Sequence, residues 1–367
     1  MLTSDQFDAL VGPITDLYRE FEQTILEDIA RRLSKMDMTA TAAWQTQRLS
    51  ESGMIYEDIL KRLSILTGRS EQELTTLFKR AGVQSMKFDD SIYKAAGLDP
   101  LPLNLSPAMA QVLAAGLRKT GGVINNLTMT TALSGQQSFI HAADLAYLQV
   151  SSGAMSYDQA IRQAVKIVGD SGLPVTYPTG HVDKLDVAMR RTVLTGVGQT
   201  TGELQMTRAQ EMGQDLVETS AHIGARPSHA LWQGKIFSRS GTDPKNPSFV
   251  AETGYGTGAG LGGWNCRHSF YPFFAGISKN AYDQATRDAF ANKTVTYQGK
   301  EISAYDASQI QRKYERAIRY WKRQAGMLES ASLDATAELQ KIRDYQARLR
   351  SFVKQTGMRR QSVREQI

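Results

Sequence analysis

Apolar residues recur at helical spacing through most of this chain. In Ser4–Leu33 they stand at Phe7, Leu10, Val11, Ile14, Leu17, Tyr18, Phe21, Ile25, Leu26, Ile29 and Leu33, the i, i+3, i+4 stripe of an amphipathic helix. Pro13 falls inside that stripe and predicts a kink or two shorter helices, because its ring removes an amide donor and crowds the preceding turn. A second helix is expected over Ser50–Leu66 with its end at Gly68, and a third over Glu71–Ala81 with its end at Gly82. Ser70 and Glu73 have the S-x-x-E spacing of a capping box for the third. Gly97–Pro107 carries Pro100, Pro102 and Pro107 and reads as a linker. Ser106-Pro107 then supplies an N-cap and first helical position for a helix through Lys119, closed by Gly121-Gly122.

Helices are further expected at Gly135–Val150, Ser156–Val168 and His181–Thr219, the last interrupted by Gly196, Gly198, Gly202 and Gly213. Gly169–Thr179, with Pro174 and Pro178, reads as a turn-rich connection. Near the end, KTVTYQGKEIS at Lys293–Ser303 alternates around Gln298-Gly299, a β-hairpin signal. A long basic helix follows from Ala304 to about Glu329, and another from about Leu333 to Val353. The pattern therefore predicts a mainly α fold of long helices, with a small α+β, loop-rich module near the C-terminal third and sheet confined to roughly Ile236–Val295. Four regions are expected: an N-terminal helical arm at 1–99, a central helical domain at 100–220, a compact module at 221–303 and basic C-terminal helices at 304–367.

Composition narrows the class. No stretch of the 367 residues approaches the roughly 18–20 apolar residues of a membrane span, so no membrane partner is expected. The N-terminal MLTSDQFDALVGPITDLYREFEQ has acids early and no basic region leading into an apolar one, which predicts synthesis and assembly in the cytoplasm. One cysteine cannot form an internal disulfide, and Cys266 is left as a buried thiol, a ligand or a nucleophile. The net charge of +6 is concentrated after residue 311. Arg312, Arg316, Arg319, Lys322, Arg323, Arg359 and Arg360 are the candidates there for phosphate contacts with double-stranded DNA. Two solvated, arginine-rich helices would give the same composition, since no aromatic stacking platform accompanies the charge.

Candidate chemistry gathers between Ala221 and Phe274. Three of the five histidines (His222, His229, His268), the only cysteine and two of the four tryptophans (Trp232, Trp264) lie there. His222, His229, Cys266 and His268 are residue types that bind zinc, although His-x6-His and Cys-x-His are not common finger spacings. No other cofactor is called for. The alternative is a loop-rich knob in which these groups pack around an aromatic core of Trp232, Trp264, Phe237, Phe270, Tyr271, Phe273 and Phe274. Cys266 and His229 also form a candidate nucleophile–base pair, with Asn265 or Asp243 as the orienting group, but no strand-turn-helix context surrounds Cys266. The glycines at 254, 256, 258, 260, 262 and 263 lack the G-K-[ST] ending of a phosphate loop, and tight folding over the aromatics beside Tyr255 and Trp264 is the expected use. Arg226-Pro227 is expected to open a helix, and Arg226 and Arg267 to tie the segment together through carbonyls or through Asp243 and Glu252.

The segments HIGARPSHALWQGKIF and GYGTGAGLGGWNCRHSFYPFFAGIS resemble the core signature of the minor capsid protein 2 family of tailed bacteriophages, with Arg226, Pro227, Trp232, Gly234, Trp264, Asn265 and Arg267 as signature positions. That signature is related in pattern to the head-morphogenesis proteins of Mu-like phages, which pair an RPxH-like segment with a downstream NCRC or NCRH. Lys79–Leu98, Leu103–Gly122, Ala146–Lys166, Gly180–Thr200 and Lys354–Glu365 resemble the family as well. The resemblance implies a non-enzymatic, low-copy structural protein of a phage or prophage head, located in the virion and contacting portal or major capsid protein. A DNA-associated internal protein ejected with the genome is the second reading, and a metal- or cysteine-dependent hydrolase of head maturation the third.

Overall fold

The computed structural model describes residues 2–177 and 179–367, with Met129 described in its backbone only. Pro178, one of the two prolines of the expected connection, lies outside the described residues. Ten helices and seven short strands follow in the order α1 (Ser4–Leu33), α2 (Thr41–Ala95), α3 (Pro107–Ser151), α4 (Tyr157–Ser171), β1 (Pro174–Thr176), β2 (Val182–Lys184), α5 (Leu185–Glu211), β3 (Leu216–Thr219), α6 (Pro227–Ala230), β4 (Ile236–Ser238), α7 (Phe249–Thr253), β5 (Phe270–Pro272), α8 (Gln284–Ala291), β6 (Thr294–Tyr297), β7 (Lys300–Ser303), α9 (Ala304–Ser330) and α10 (Thr336–Thr356) among the described residues. The mainly α expectation with a small α+β part holds.

Several boundaries differ from the sequence reading. α1 runs unbroken through Pro13 rather than dividing there. The helices expected at Ser50–Leu66 and Glu71–Ala81 are parts of the single helix α2, which passes through Gly68 and Gly82. Ser70 is consequently not an N-cap: its hydroxyl bonds Leu66 O at 2.7 Å, one turn back, and the Tyr18 hydroxyl at 3.1 Å. α3 likewise continues through Gly121-Gly122. A glycine inside a helix costs about 1 kcal/mol relative to alanine, and burial of a helix face offsets that easily. Where glycine does stop a helix, the backbone is left-handed, as at Gly97 (φ 81) and Gly153 (φ 72). The expected helix over His181–Thr219 is shorter: β2 precedes it, it ends at Glu211, and its last four expected residues form β3. Sheet therefore begins at Pro174, well upstream of Ile236.

The described residues fall into two compact units. Among the described residues, the first comprises 2–14, 71–123 and 190–309, and the second 15–70, 124–177, 179–189 and 310–367. In the first, α3 and α5 approach closely through two reciprocal pairs. A Cβ on Gly116 would stand 2.0 Å from Thr200 Oγ1, and one on Gly196 would stand 2.2 Å from Thr120 Oγ1. These glycines are contacts rather than interruptions: each opens a slot, four residues from its own helix's threonine, that receives the other helix's threonine. Gly196→Ala is expected to destabilise the chain by about 1–3 kcal/mol through overpacking, measured as a lower denaturation midpoint. The same substitution at Gly68, where nothing lies within 4 Å, should leave the midpoint unchanged or raise it.

In the second unit the apolar stripe of α1 is buried at Tyr18, Ile25, Leu26, Ile29 and Leu33, as are Ile55, Ile59 and Leu63 of α2 and Ala160, Ile161, Ala164 and Val165 of α4. Ser156 caps α4 in a full capping box with Gln159. Arg323 and Glu22 form a buried ion pair at 2.7 Å, their side chains 7% and 2% exposed.

Candidate functional site

The site rests on a three-stranded antiparallel sheet in which β3 lies between β4 and β5. Each strand contributes one side chain, Val217, Phe237 or Phe270, to a compact core completed by Trp232, Phe249 and Leu261, with Met206 and Tyr255 packed against it. Thr219 pairs with Phe270 across β3 and β5. This register sets the end of β3 beside the start of β5, and Ser220 and Ser269 extend the pairing, through Ser220 N to Ser269 O at 2.8 Å and Ser269 N to Ser220 Oγ at 2.9 Å. His222 and His268 therefore come together although they are far apart in sequence. Pro227 takes the first position of α6, as the sequence predicts, and that short helix carries His229 inward.

Between these segments the glycine run folds back on itself. A Cβ at Gly260 would stand 2.0 Å from Gly254 O, and one at Gly263 would stand 2.3 Å from Gly258 O. Only glycine permits two backbone layers at this separation. The folded loop presents Ala259 O to His229 Nε2 at 2.9 Å and draws Cys266 N to Gly263 O at 3.1 Å. The run thus builds a wall, and a phosphate loop would need a different geometry.

Of the four sequence-proposed ligands, the fold unites three. His229, Cys266 and His268 are all buried, and one ligand atom from each lies within 4.8 Å of the other two. His229 Nδ1 is 3.4 Å from His268 Nδ1, and Cys266 Sγ is 3.7 Å and 3.8 Å from those two nitrogens. His268 Nε2 faces Gln233 Oε1 at 3.1 Å. His222 stands outside the trio: its ring stacks on His268 with centroids 4.3 Å apart, and its Nδ1 faces Ile223 O at 3.1 Å. Gln233, which sequence reading passed over, also accepts the His222 amide at 3.1 Å. Burial pushes His229 down to about 4 and holds His268 well below the usual imidazole range, so both rings are neutral at pH 7. Burial pushes the Cys266 thiol up, against backbone hydrogen bonds from Gly262 and His268.

The nucleophile reading gains nothing from this geometry. Cys266 is only 3% exposed, and a thiol raised by burial is a poor source of thiolate. Neither proposed orienting group is placed to serve: Asn265 is exposed in a left-handed turn at φ 54, and Asp243 accepts the amides of Lys245 and Asn246. The tying arginines choose other partners than Asp243 and Glu252. Arg226 donates to Trp264 O at 2.8 Å, and Arg267 pairs with Asp8 at 3.2 Å. Trp232 is buried in the core, whereas Trp264 is 60% exposed and lies over Gly258. Gly234, at φ 66, admits Tyr282 where a side chain would clash.

Four of the seven C-terminal cations are held by partners within the chain. Arg323 pairs with Glu22, Arg319 with Asp186 at 3.4 Å and Arg360 with Glu365 at 2.5 Å, while Lys322 donates to Gln366 at 2.7 Å. Arg312 is half-buried, and Arg316 and Arg359 are exposed. The more open bases are Lys341, Arg343, Arg348, Arg350 and Lys354 of α10. Among the described residues no helix is long and apolar enough to cross a membrane.

The profile of the phage minor capsid protein 2 family matches residues 2–354. A structural protein of Lactococcus phage LL-H is 25% identical over 382 aligned positions, covering 96% of this chain and 98% of that protein. A structural protein of Lactococcus phage mv4 is 33% identical over 132, which is 34% of this chain and 94% of that protein. No solved structure matches the chain significantly.

Proposed function

This chain belongs to the phage minor capsid protein 2 family, and from that membership we propose that it is a low-copy structural component of a tailed-phage or prophage head, built in at the portal or capsid interior during head morphogenesis. The observation that carries this reading is the extent of the likeness. It runs through both helical units and the His/Cys/Trp module, and it spans nearly the whole of the LL-H structural protein. Long amphipathic helices suit a protein whose work is contact with other proteins. Ile223, Leu231 and Trp264 are exposed on the signature loops at 49%, 73% and 60%, and aromatic side chains in such positions are enriched at protein interfaces. Portal and major capsid protein are the partners this reading names.

Catalysis is not part of it, because the thiol is buried and both relatives bear structural names. Release with the genome is the competing reading, and only the exposed bases of α10 and its neighbour Arg359 favour it. The test is a phage whose copy of this gene is disrupted. The proposal expects aberrant or empty heads and a large loss of titre, restored by the gene in trans. Normal heads at the parental titre would contradict it.

A further inference from the structure

We propose that His229, Cys266 and His268 hold one zinc ion through Nδ1, Sγ and Nδ1, with Gln233 and the Ala259 carbonyl as the outer groups that fix the two imidazoles. Hydrogen-bond polarity and distance carry this assignment. Ala259 O is a carbonyl and can only accept, so the proton of His229 sits on Nε2, which faces it at 2.9 Å. Gln233 Oε1 receives the backbone N–H of His222 at 3.1 Å, which identifies that atom as the amide oxygen. It too can only accept, so the proton of His268 sits on the Nε2 that faces it at 3.1 Å. Both Nδ1 atoms are therefore bare lone pairs, and they confront each other at 3.4 Å inside the protein. The single proton of the thiol can satisfy one of them. Two converging acceptors with one donor between them is a costly arrangement for a core that needed only packing.

A cation resolves it, and the spacing fits one. Zinc–nitrogen and zinc–sulfur bonds of about 2.0–2.1 and about 2.3 Å at tetrahedral angles require nitrogens about 3.4 Å apart and sulfur about 3.6 Å from each nitrogen. The three separations here are 3.4, 3.7 and 3.8 Å. Imidazole and thiolate select zinc over the hard cations. Each ligating imidazole donates its far N–H to a fixed acceptor, the usual outer arrangement of a histidine on zinc. Binding releases the Cys266 proton to solvent, and three protein ligands leave one tetrahedral vertex to an exogenous group. His222, bonded to Ile223 O, stacks on His268 and takes no vertex. The ion would clamp α6 to the segment leading into β5, closing the glycine loop between them.

The test uses the full chain, stripped with a chelator and titrated with cobalt(II) as a spectroscopic stand-in and with zinc in competition. One equivalent should bind, with intense visible bands of a tetrahedral site and a near-ultraviolet thiolate-to-cobalt band, both displaced by zinc. Because the chain has one cysteine, that band reports Cys266 alone. Cys266→Ser should abolish it, and His268→Ala should weaken binding by more than about 100-fold, as loss of a direct ligand must exceed the roughly 10–100-fold effect of an outer group. Gln233→Ala should weaken it by about 10–100-fold, and His222→Ala should bind like the parent. Failure of the parent chain to bind cobalt or zinc stoichiometrically, or a thiolate band that stays absent at saturation, would overturn the proposal without reference to any variant's folding. Loss of binding in His222→Ala with helical content intact would overturn the ligand assignment. The result is independent of where in a particle the protein resides.

Discussion

Glu22→Ala should be among the most damaging single substitutions in this chain, costing about 3–5 kcal/mol. Glu22 Oε2 accepts from Arg323 at 2.7 Å and Oε1 accepts the Leu173 amide at 2.9 Å, with the carboxylate side chain only 2% exposed. Removing it leaves a guanidinium and a backbone amide without their acceptor inside the second unit, and each unmet group carries a desolvation penalty. The pair itself is a weaker source of stability than its removal suggests, because both charges were taken from water to make it. Replacing both, as Glu22→Leu with Arg323→Met, should therefore recover much of the loss. Denaturant unfolding of the three proteins checks this. A cost under about 1 kcal/mol for Glu22→Ala would mean the pair behaves as a solvated surface bridge.

Phe249→Ala should be comparably damaging, at about 3–5 kcal/mol, with its effect centred on the signature module. Phe249 is fully buried, and its ring meets Phe270 and Phe237 edge-on at 4.8 and 6.2 Å and Tyr255 at 5.2 Å. Deleting it opens a cavity among rings whose neighbours are held by the β3–β4 and β3–β5 registers and cannot readily collapse inward. Leu231→Ala, at a side chain 73% exposed in the same module, should change stability by no more than about 0.5 kcal/mol. Denaturation midpoints of the two variants, read beside proteolysis of the module, give the comparison. Equal effects would mean that the aromatic cluster is not the core of the module.

Local signals in the sequence were enough where local chemistry decides. Gln298-Gly299 forms its hairpin with φ of 51 and 75, both in the left-handed region that a two-residue turn requires. Ser156 and Gln159 cap α4, and Pro227 opens α6. Glycine was the poorest guide. Gly68, Gly82 and Gly121 read as helix ends but lie within α2 and α3, since a modest helical penalty does not outweigh burial elsewhere along the same helix. Gly196 reads as an interruption and serves as the seat of a threonine on another helix, a use that only the tertiary approach reveals.

The candidate site was partly legible. Residue type singled out His229, Cys266 and His268 together with His222, but spacing could not separate the fourth from the trio. The separation depends on the Thr219–Phe270 register and on which carbonyl each imidazole faces. Gln233 carries no sequence signal for its position between His222 and His268. The pairing of Glu22 with Arg323 spans 301 positions, and nothing local foretells it. For the same reason composition could not show that Arg319, Arg323 and Arg360, within the C-terminal basic excess, are drawn into ion pairs.

Whether this protein is built into a phage head is read by quantitative mass spectrometry of purified particles, comparing DNA-filled heads with heads that have discharged their DNA. The chain should be present in both, at low copy and in unchanged ratio to the major capsid protein. Its absence from both particles, or its departure with the DNA, would contradict that prediction.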